Sequence, residues 1–131
     1  MNKYKLNFIH LCDEATISQD GKLSLIGVFD VVYLKTLPAN LLKAVMVCNF
    51  DVLEEKINNV NLEISILDQD KEVIKIPPAL IQINKKQDVN LPTKVGIMLE
   101  IGNIRFYSEG KHSLVATVNI EKLGSVEFTV K

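Results

Sequence analysis

The stretch VNLEISIL, residues 60–67, places Val60, Leu62, Ile64 and Ile66 on one side and Asn61, Glu63 and Ser65 on the other. Side chains that repeat every two residues belong to a strand with one face in a core and one in water. The pattern returns near the end of the chain. His112, Leu114, Ala116, Val118 and Ile120 share one face; Lys111, Ser113, Thr117 and Asn119 share the other, with Val115 the lone apolar residue among them. After a turn at Glu121-Lys122-Leu123-Gly124, Val126, Phe128 and Val130 alternate with Glu127, Thr129 and Lys131. Strands joined by short polar turns are antiparallel neighbours. The segment at 60–67 likewise meets Glu72 to Ile76 across Asp68-Gln69-Asp70-Lys71, where Asp side chains accept hydrogen bonds from turn amides.

Earlier segments alternate less cleanly. Tyr4 to Leu11 reads as a first strand and Lys22 to Leu34 as a long second one. Ala44, Met46, Cys48, Phe50 and Val52 make an inward row opposite Val45, Val47, Asn49 and Asp51. Val95, Ile97, Leu99 and Ile101 make another, which resumes one residue out of phase at Ile104 and Phe106, so Gly102-Asn103 is expected to be a β-bulge. Pro38 to Lys43 alone has helical character. Pro77-Pro78 argues against a central strand, because proline cannot donate to the ladder, and reads as a crossing between sheets.

Some eight short strands predict an all-β fold: a single antiparallel β-sandwich of about seven to nine strands over residues 1–131, with an immunoglobulin-like ending. The core Trp and inter-sheet disulfide of antibody domains are missing, so the likeness is to the architecture. The absent Trp and a hydrophobic content of 47% leave the core to Ile, Val and Leu, which are stiff at χ1 and suit a pleated surface.

Net charge is −1 and the basic residues are scattered. Without a basic stripe, nucleic acid is not an expected partner. No apolar run reaches the ~20 residues that span a bilayer, and the N-terminal stretch is too broken by Lys, Asn and His for a secretory signal. The expectation is a cytoplasmic protein away from membranes, with Cys12 and Cys48 as reduced thiols. Two Cys and two His far apart in sequence support neither a structural zinc site nor another cofactor.

Residues 11–30 carry a more particular pattern: Glu14-Ala15, Gly21-Lys22-Leu23, Ile26-Gly27 and Phe29-Asp30. In these positions, and on through Pro38, the Asp68–Asp70 hairpin and the closing strands, the chain resembles a family of small bacterial proteins to which no activity is assigned. It departs from the family at Lys71 or Glu72, where Gly is usual, and at His112, where Tyr is usual. The resemblance implies a single β-sandwich and supplies no catalytic residue.

Cys12, Asp13 and Glu14, with His10 two residues upstream, are the strongest candidates for chemistry. Residues 10 and 12 of a strand share a face about 6–7 Å apart, beyond direct hydrogen bonding. Neighbouring carboxylates raise a thiol pKa, the opposite of activation. Cys12 therefore reads as a small buried hydrophobe, and Asp13 and Glu14 as the start of a loop capping the strand end. Asp20-Gly21 fits a turn with positive φ at the glycine, and Gly27 marks a bulge or a close approach by another backbone. Asp68 and Asp70 offer too few oxygens for Ca²⁺ unless Asp51, Glu54 or Glu55 joins them. His112 reads as a core histidine with one nitrogen satisfied. No phosphate loop, nucleophile elbow, dinucleotide fingerprint or HExxH motif occurs.

These readings converge on a non-enzymatic β-sandwich module acting through protein–protein contact, as an adaptor or accessory subunit. The alternative is a small-ligand or carbohydrate binder using a cleft or loop end, though no Trp is present for stacking on sugar. Ile26, Val28, Val32, Val45 and Val47 are apolar on a nominally outer face and form the candidate interface. Either a second copy covers them, as in a homodimer, or the cover is intramolecular, the long second strand bending at Gly27 to serve both sheets in turn.

Overall fold

The computed structural model describes residues 3–54, 57–69, 71–82 and 93–131. Nine strands are present among them and no helix: β1 Tyr4–Ile17, β2 Leu23–Val28, β3 Val31–Val32, β4 Ala39–Val52, β5 Asn59–Asp68, β6 Lys71–Gln82, β7 Thr93–Phe106, β8 Gly110–Val118 and β9 Glu121–Val130. They form two sheets, ordered β2-β1-β4-β7 and β3-β9-β8-β5-β6. Every pairing is antiparallel except β3 on β9, which is parallel.

One apolar cluster draws on both sheets. Leu11, Met46, Cys48, Phe50 and Phe106 come from the four-stranded sheet; Leu62, Ile64, Ile66, Leu114, Val118 and Phe128 come from the five-stranded one. Removing each such side chain from water contributes roughly 1.5–3 kcal/mol. The inward rows read from alternation in β4, β5, β8 and β9 all face this cluster. His112 lies among them, 2% exposed. Its ring stacks on Phe128 and meets Phe106 edge-on, and Nδ1 donates to the Gly110 carbonyl at 2.9 Å.

Several expectations are corrected. Pro38 to Lys43 is not helical: Ala39 to Lys43 pair with Gly102 to Phe106, and sheet pairing overrides a short local propensity. The stretch expected to be one long second strand is two, β2 in one sheet and β3 in the other, joined through Phe29 and Asp30. Pro77-Pro78 does not mark a crossing. β6 runs through both prolines as the edge of its sheet, and the register slips by one residue there, from Leu62↔Ala79 to Ile64↔Ile76. An edge strand and a bulge are where a missing N–H is tolerated. The closing turn is Asn119-Ile120, both at positive φ, so Ile120 lies 96% exposed and not on the inward face.

The phase change at Gly102-Asn103 is real, but no one-sided bulge produces it. The register passes from Leu41↔Ile104 to Lys43↔Gly102 without a slip. Asn103 sits at φ 53° and Leu42 opposite is largely exposed. Both strands step together, so each changes the face it presents while the pairing survives.

Candidate functional site

The same paired step occurs once more, and it builds the most distinctive surface of the molecule. β1 does not end near Leu11. It continues to Ile17 and pairs with β2, so Asp13 and Glu14 lie within a strand and not at the start of a loop. The register passes from Cys12↔Val28 to Glu14↔Ile26, leaving Asp13 across from Gly27. Gly27 has φ 70°, and the Asp13 carboxylate lies where a Cβ on residue 27 would stand. Only glycine meets both conditions, since a side chain here would be strained and would collide with Asp13.

Beyond this step the hairpin changes face. Ala15 and Leu25 pack with Cys12, Val45 and Val47 as a second apolar cluster, joined by Phe8, instead of following Leu11 into the main core. Farther out, Ile17 and Leu23 line a cavity of about 150 Å³ with Phe8, Val47 and Met98. A second cavity, about 370 Å³, opens beside it between Ala15, Val45 and Met98, with Glu14, Lys43 and Glu100 around it. Glu14 and Lys43 approach to 3.9 Å. The hairpin is thus an arm laid over the outer face of its own sheet. Its tip is closed by Ser18 and Gly21: the Gly21 amide donates to the Ser18 carbonyl at 3.0 Å, and Gly21 has φ 84° as expected. The Ser18 hydroxyl bonds the Asp20 carboxylate, and this bond, with Lys22 nearby, holds that carboxyl below its usual range.

The five candidate interface residues separate. Val32 is buried in the main core on β3. Val45 and Val47 are 7% and 2% exposed, beneath the hairpin arm. They point away from the main core, as alternation predicts, but are not free: a second layer from the same chain covers them. Ile26 and Val28, on β2, are 55% and 57% exposed. Exposed Ile17, Leu23 and Met98, which line one cavity on the arm's covered face, were missed. The available signal was parity, since Ala15, Ile17, Leu23 and Leu25 are all odd-numbered whereas Cys12 is even.

Cys12 is fully buried, with Sγ 3.6 Å from the Val45 carbonyl oxygen. Burial, then the nearby Asp13, raises its thiol pKa. His10 is exposed and its ring stacks on Phe8. No base therefore serves this thiol from position 10. Cys48 lies in the main core, where burial pushes its thiol up to about 11. Both cysteines are free.

Asp68 accepts a hydrogen bond from the Ser108 hydroxyl, and its carboxylate lies 3.9 Å from His112 Nε2. Asp70 and Glu55 fall outside the described residues. Asp51 accepts from Asn7 Nδ2 at 2.9 Å and stands 3.6 Å from Lys94 Nζ, committed on the other sheet. Among the described residues no three His, Cys, Asp or Glu side chains gather as a metal site would need. No helix there is long and apolar enough to cross a membrane.

Similar folds occur in proteins of remote sequence. The alkylpurine DNA glycosylase AlkC of Pseudomonas fluorescens, solved bound to DNA containing an abasic site analog, aligns over 98% of this chain with TM-score 0.57 and 14% identity. A β-glucosidase from Listeria innocua aligns over 78% with TM-score 0.51 and 8% identity. Its complex with isofagomine aligns over 94% with TM-score 0.51 and 7% identity. The chain spans 30% of the glycosylase and 14% or 16% of the glucosidase. At such identities the likeness concerns the fold alone. No curated protein sequence matches the chain. A family model does match, from residue 7 to residue 131, and by that match the chain belongs to the family of unknown function DUF6941.

Proposed function

We propose that this chain is an immunoglobulin-like β-sandwich module without catalytic activity, which works by gripping an extended segment of a partner protein along β2. One observation carries the reading. Strand LSLIGV, residues 23–28, is an edge of its sheet, contains no charge, and exposes Leu23 and Val28 on one face and Ile26 on the other. Edge strands that stay solitary are usually blunted by charge or proline, because their unpaired N–H and C=O groups template another strand. Here that protection is missing. A partner strand added to β2 gains main-chain hydrogen bonds and seats apolar side chains on Val28 at one face and on Ile26 at the other. The two buried thiols without a disulfide fit work in the cytoplasm.

The test is a photo-crosslinking residue placed in turn at 26, 28 and 113, in the native cell extract. Positions 26 and 28 should each yield one discrete protein adduct, lost in Leu23→Lys, and position 113 on the other sheet should yield none. The same adducts from all three positions, or none from 26 and 28, would overturn the reading.

A further inference from the structure

The opposite edge of the same sheet is built differently. Among the described residues β7 has β4 as its only neighbour, and its register with β4 is unbroken from Lys94↔Asp51 to Ile101↔Ala44. This half of β7 carries no proline. Its outward row is Lys94, Gly96, Met98 and Glu100; its inward row is Val95, Ile97, Leu99 and Ile101. Ile97 and Leu99 face the core yet are only partly buried, and Met98 is 43% exposed.

We propose that a second copy of this chain pairs with β7, antiparallel about a two-fold axis at Ile97, so that two four-stranded sheets become one. In an antiparallel ladder directly opposed residues share a face, so a self-pairing must be centred on a residue. Centred on Ile97, Lys94 of each copy stands opposite Glu100 of the other, giving two symmetric ion pairs. Met98 stands opposite Gly96, where only the Asn49 side chain comes within 4 Å of the place a Cβ would occupy, so the long side chain meets the empty position. Val95 meets Leu99 and Ile97 meets Ile97, closing the half-open side of the core. Moving the axis one residue destroys the match. Centred on Gly96, Lys94 faces Met98; centred on Met98, Lys94 faces Gly102 and Glu100 faces Gly96. Opposed unlike charges favour a ladder pairing and like charges oppose it. Lys94 also neighbours Asp51 within its own chain, and a Glu100 from the second copy extends that pair into a row. This inference goes beyond the proposed function: it concerns the other edge of the sheet and leaves β2 available.

Sizing with light scattering across a concentration series tests it. The unaltered chain should run as a dimer at high micromolar concentration. Glu100→Lys sets Lys against Lys at both ends of the ladder and should raise the dissociation constant about tenfold or more. Lys94→Glu should do the same, and mixing the two variants should restore a dimer, because only the heterodimer pairs opposite charges. Thermal melting of each variant separates lost pairing from lost folding. A chain with Gly96→Cys mixed with one carrying Met98→Cys should give a covalent dimer under mild oxidation, whereas either alone should not. A monomer at high micromolar concentration, a dimer indifferent to Glu100→Lys, or equal cross-linking by Gly96→Cys alone would overturn the proposal.

Discussion

The two sheets treat their outer faces in opposite ways. On the five-stranded sheet that face is Asn61, Glu63, Ser65, Lys111, Ser113, Thr117, Glu127 and Thr129, with Val115 in their midst and water as the medium. On the four-stranded sheet the corresponding face holds Cys12, Val45 and Val47, and a hairpin arm lies over it. The difference does not come from strand propensity, because both sheets are rich in Val and Ile. It comes from one glycine. Gly27 lets the β1–β2 hairpin change face without losing a pair, and the apolar residues beyond it then need a surface to cover. A sheet face can therefore be apolar without a partner chain, provided the same chain contains a step.

The sharpest way to break this comparison is to charge the covered face. Val47→Lys places an ammonium within the cluster of Phe8, Cys12, Leu25 and Val45. An unpaired buried charge is among the few changes that cost more than about 3 kcal/mol. Urea unfolding should show a loss of that size. A loss under about 1 kcal/mol would mean that the arm does not cover the face.

Gly27→Ala attacks the step itself. A Cβ at positive φ costs about 1–2 kcal/mol, and the collision with Asp13 adds to it, so a loss of about 2–3 kcal/mol is expected. Asp13→Ala in the same chain removes the collision and should recover about half. If the double variant is no more stable than Gly27→Ala alone, Asp13 is not the obstructing group.

How much of this was legible follows from the same step. In β5, β8 and β9 the backbone keeps one phase over most of each strand, so inward rows could be read directly from period two. In β1, β2 and β7 the phase changes within a strand, and sequence records such a change only as a glycine or asparagine among apolar residues. Gly102-Asn103 was noticed because the apolar row visibly skips. Asp13-Glu14 suggests a loop, because two acids in sequence are poor strand residues, and nothing local shows that Gly27 stands opposite. Cys12 was read as buried, which it is, but the cluster that buries it depends on Ala15 and Leu25 arriving from beyond the step. Pro77-Pro78 was rightly kept out of a central strand; that β6 would be an edge is a property of sheet order, which no local pattern carries.

The two thiols report the two layers separately. Cys12 lies under the arm and Cys48 in the main core. Local opening of a hairpin needs less free energy than exposing a core strand. Native labelling of Cys12 should therefore run about tenfold faster than that of Cys48, a difference of roughly 1.4 kcal/mol in opening. Gly27→Ala supplies the control: it should speed Cys12 and leave Cys48 almost unchanged. Equal acceleration of both would mean that the arm and the core open as one unit.

Alkaline pH adds a stability term at Cys48. Its folded pKa lies above the unfolded value of 9.0, so between them the unfolded chain has lost the proton and the folded chain keeps it. Stability from this group is intact below pH 9 and falls as pH rises towards about 11. A Cys48→Ala chain should show a flatter alkaline limb than the unaltered one, and parallel limbs would refute the assignment.

The smallest effect belongs to the wet face. Val115 stands on β8 opposite Ser125 and Ser65, half-buried on the outer side of the five-stranded sheet. A lysine there can lay its aliphatic stem along the strand and keep the ammonium in water. Glu63 and Glu127 lie on the same face with Lys75 and Lys111, so the added charge joins a mixed, solvated set. Val115→Lys should shift stability by no more than about 0.5 kcal/mol. Set beside Val47→Lys, it makes the same change of residue on the outer face of each sheet. If Val115→Lys instead costs as much as Val47→Lys, the five-stranded sheet also has a cover, and the contrast between the two faces is not what Gly27 creates.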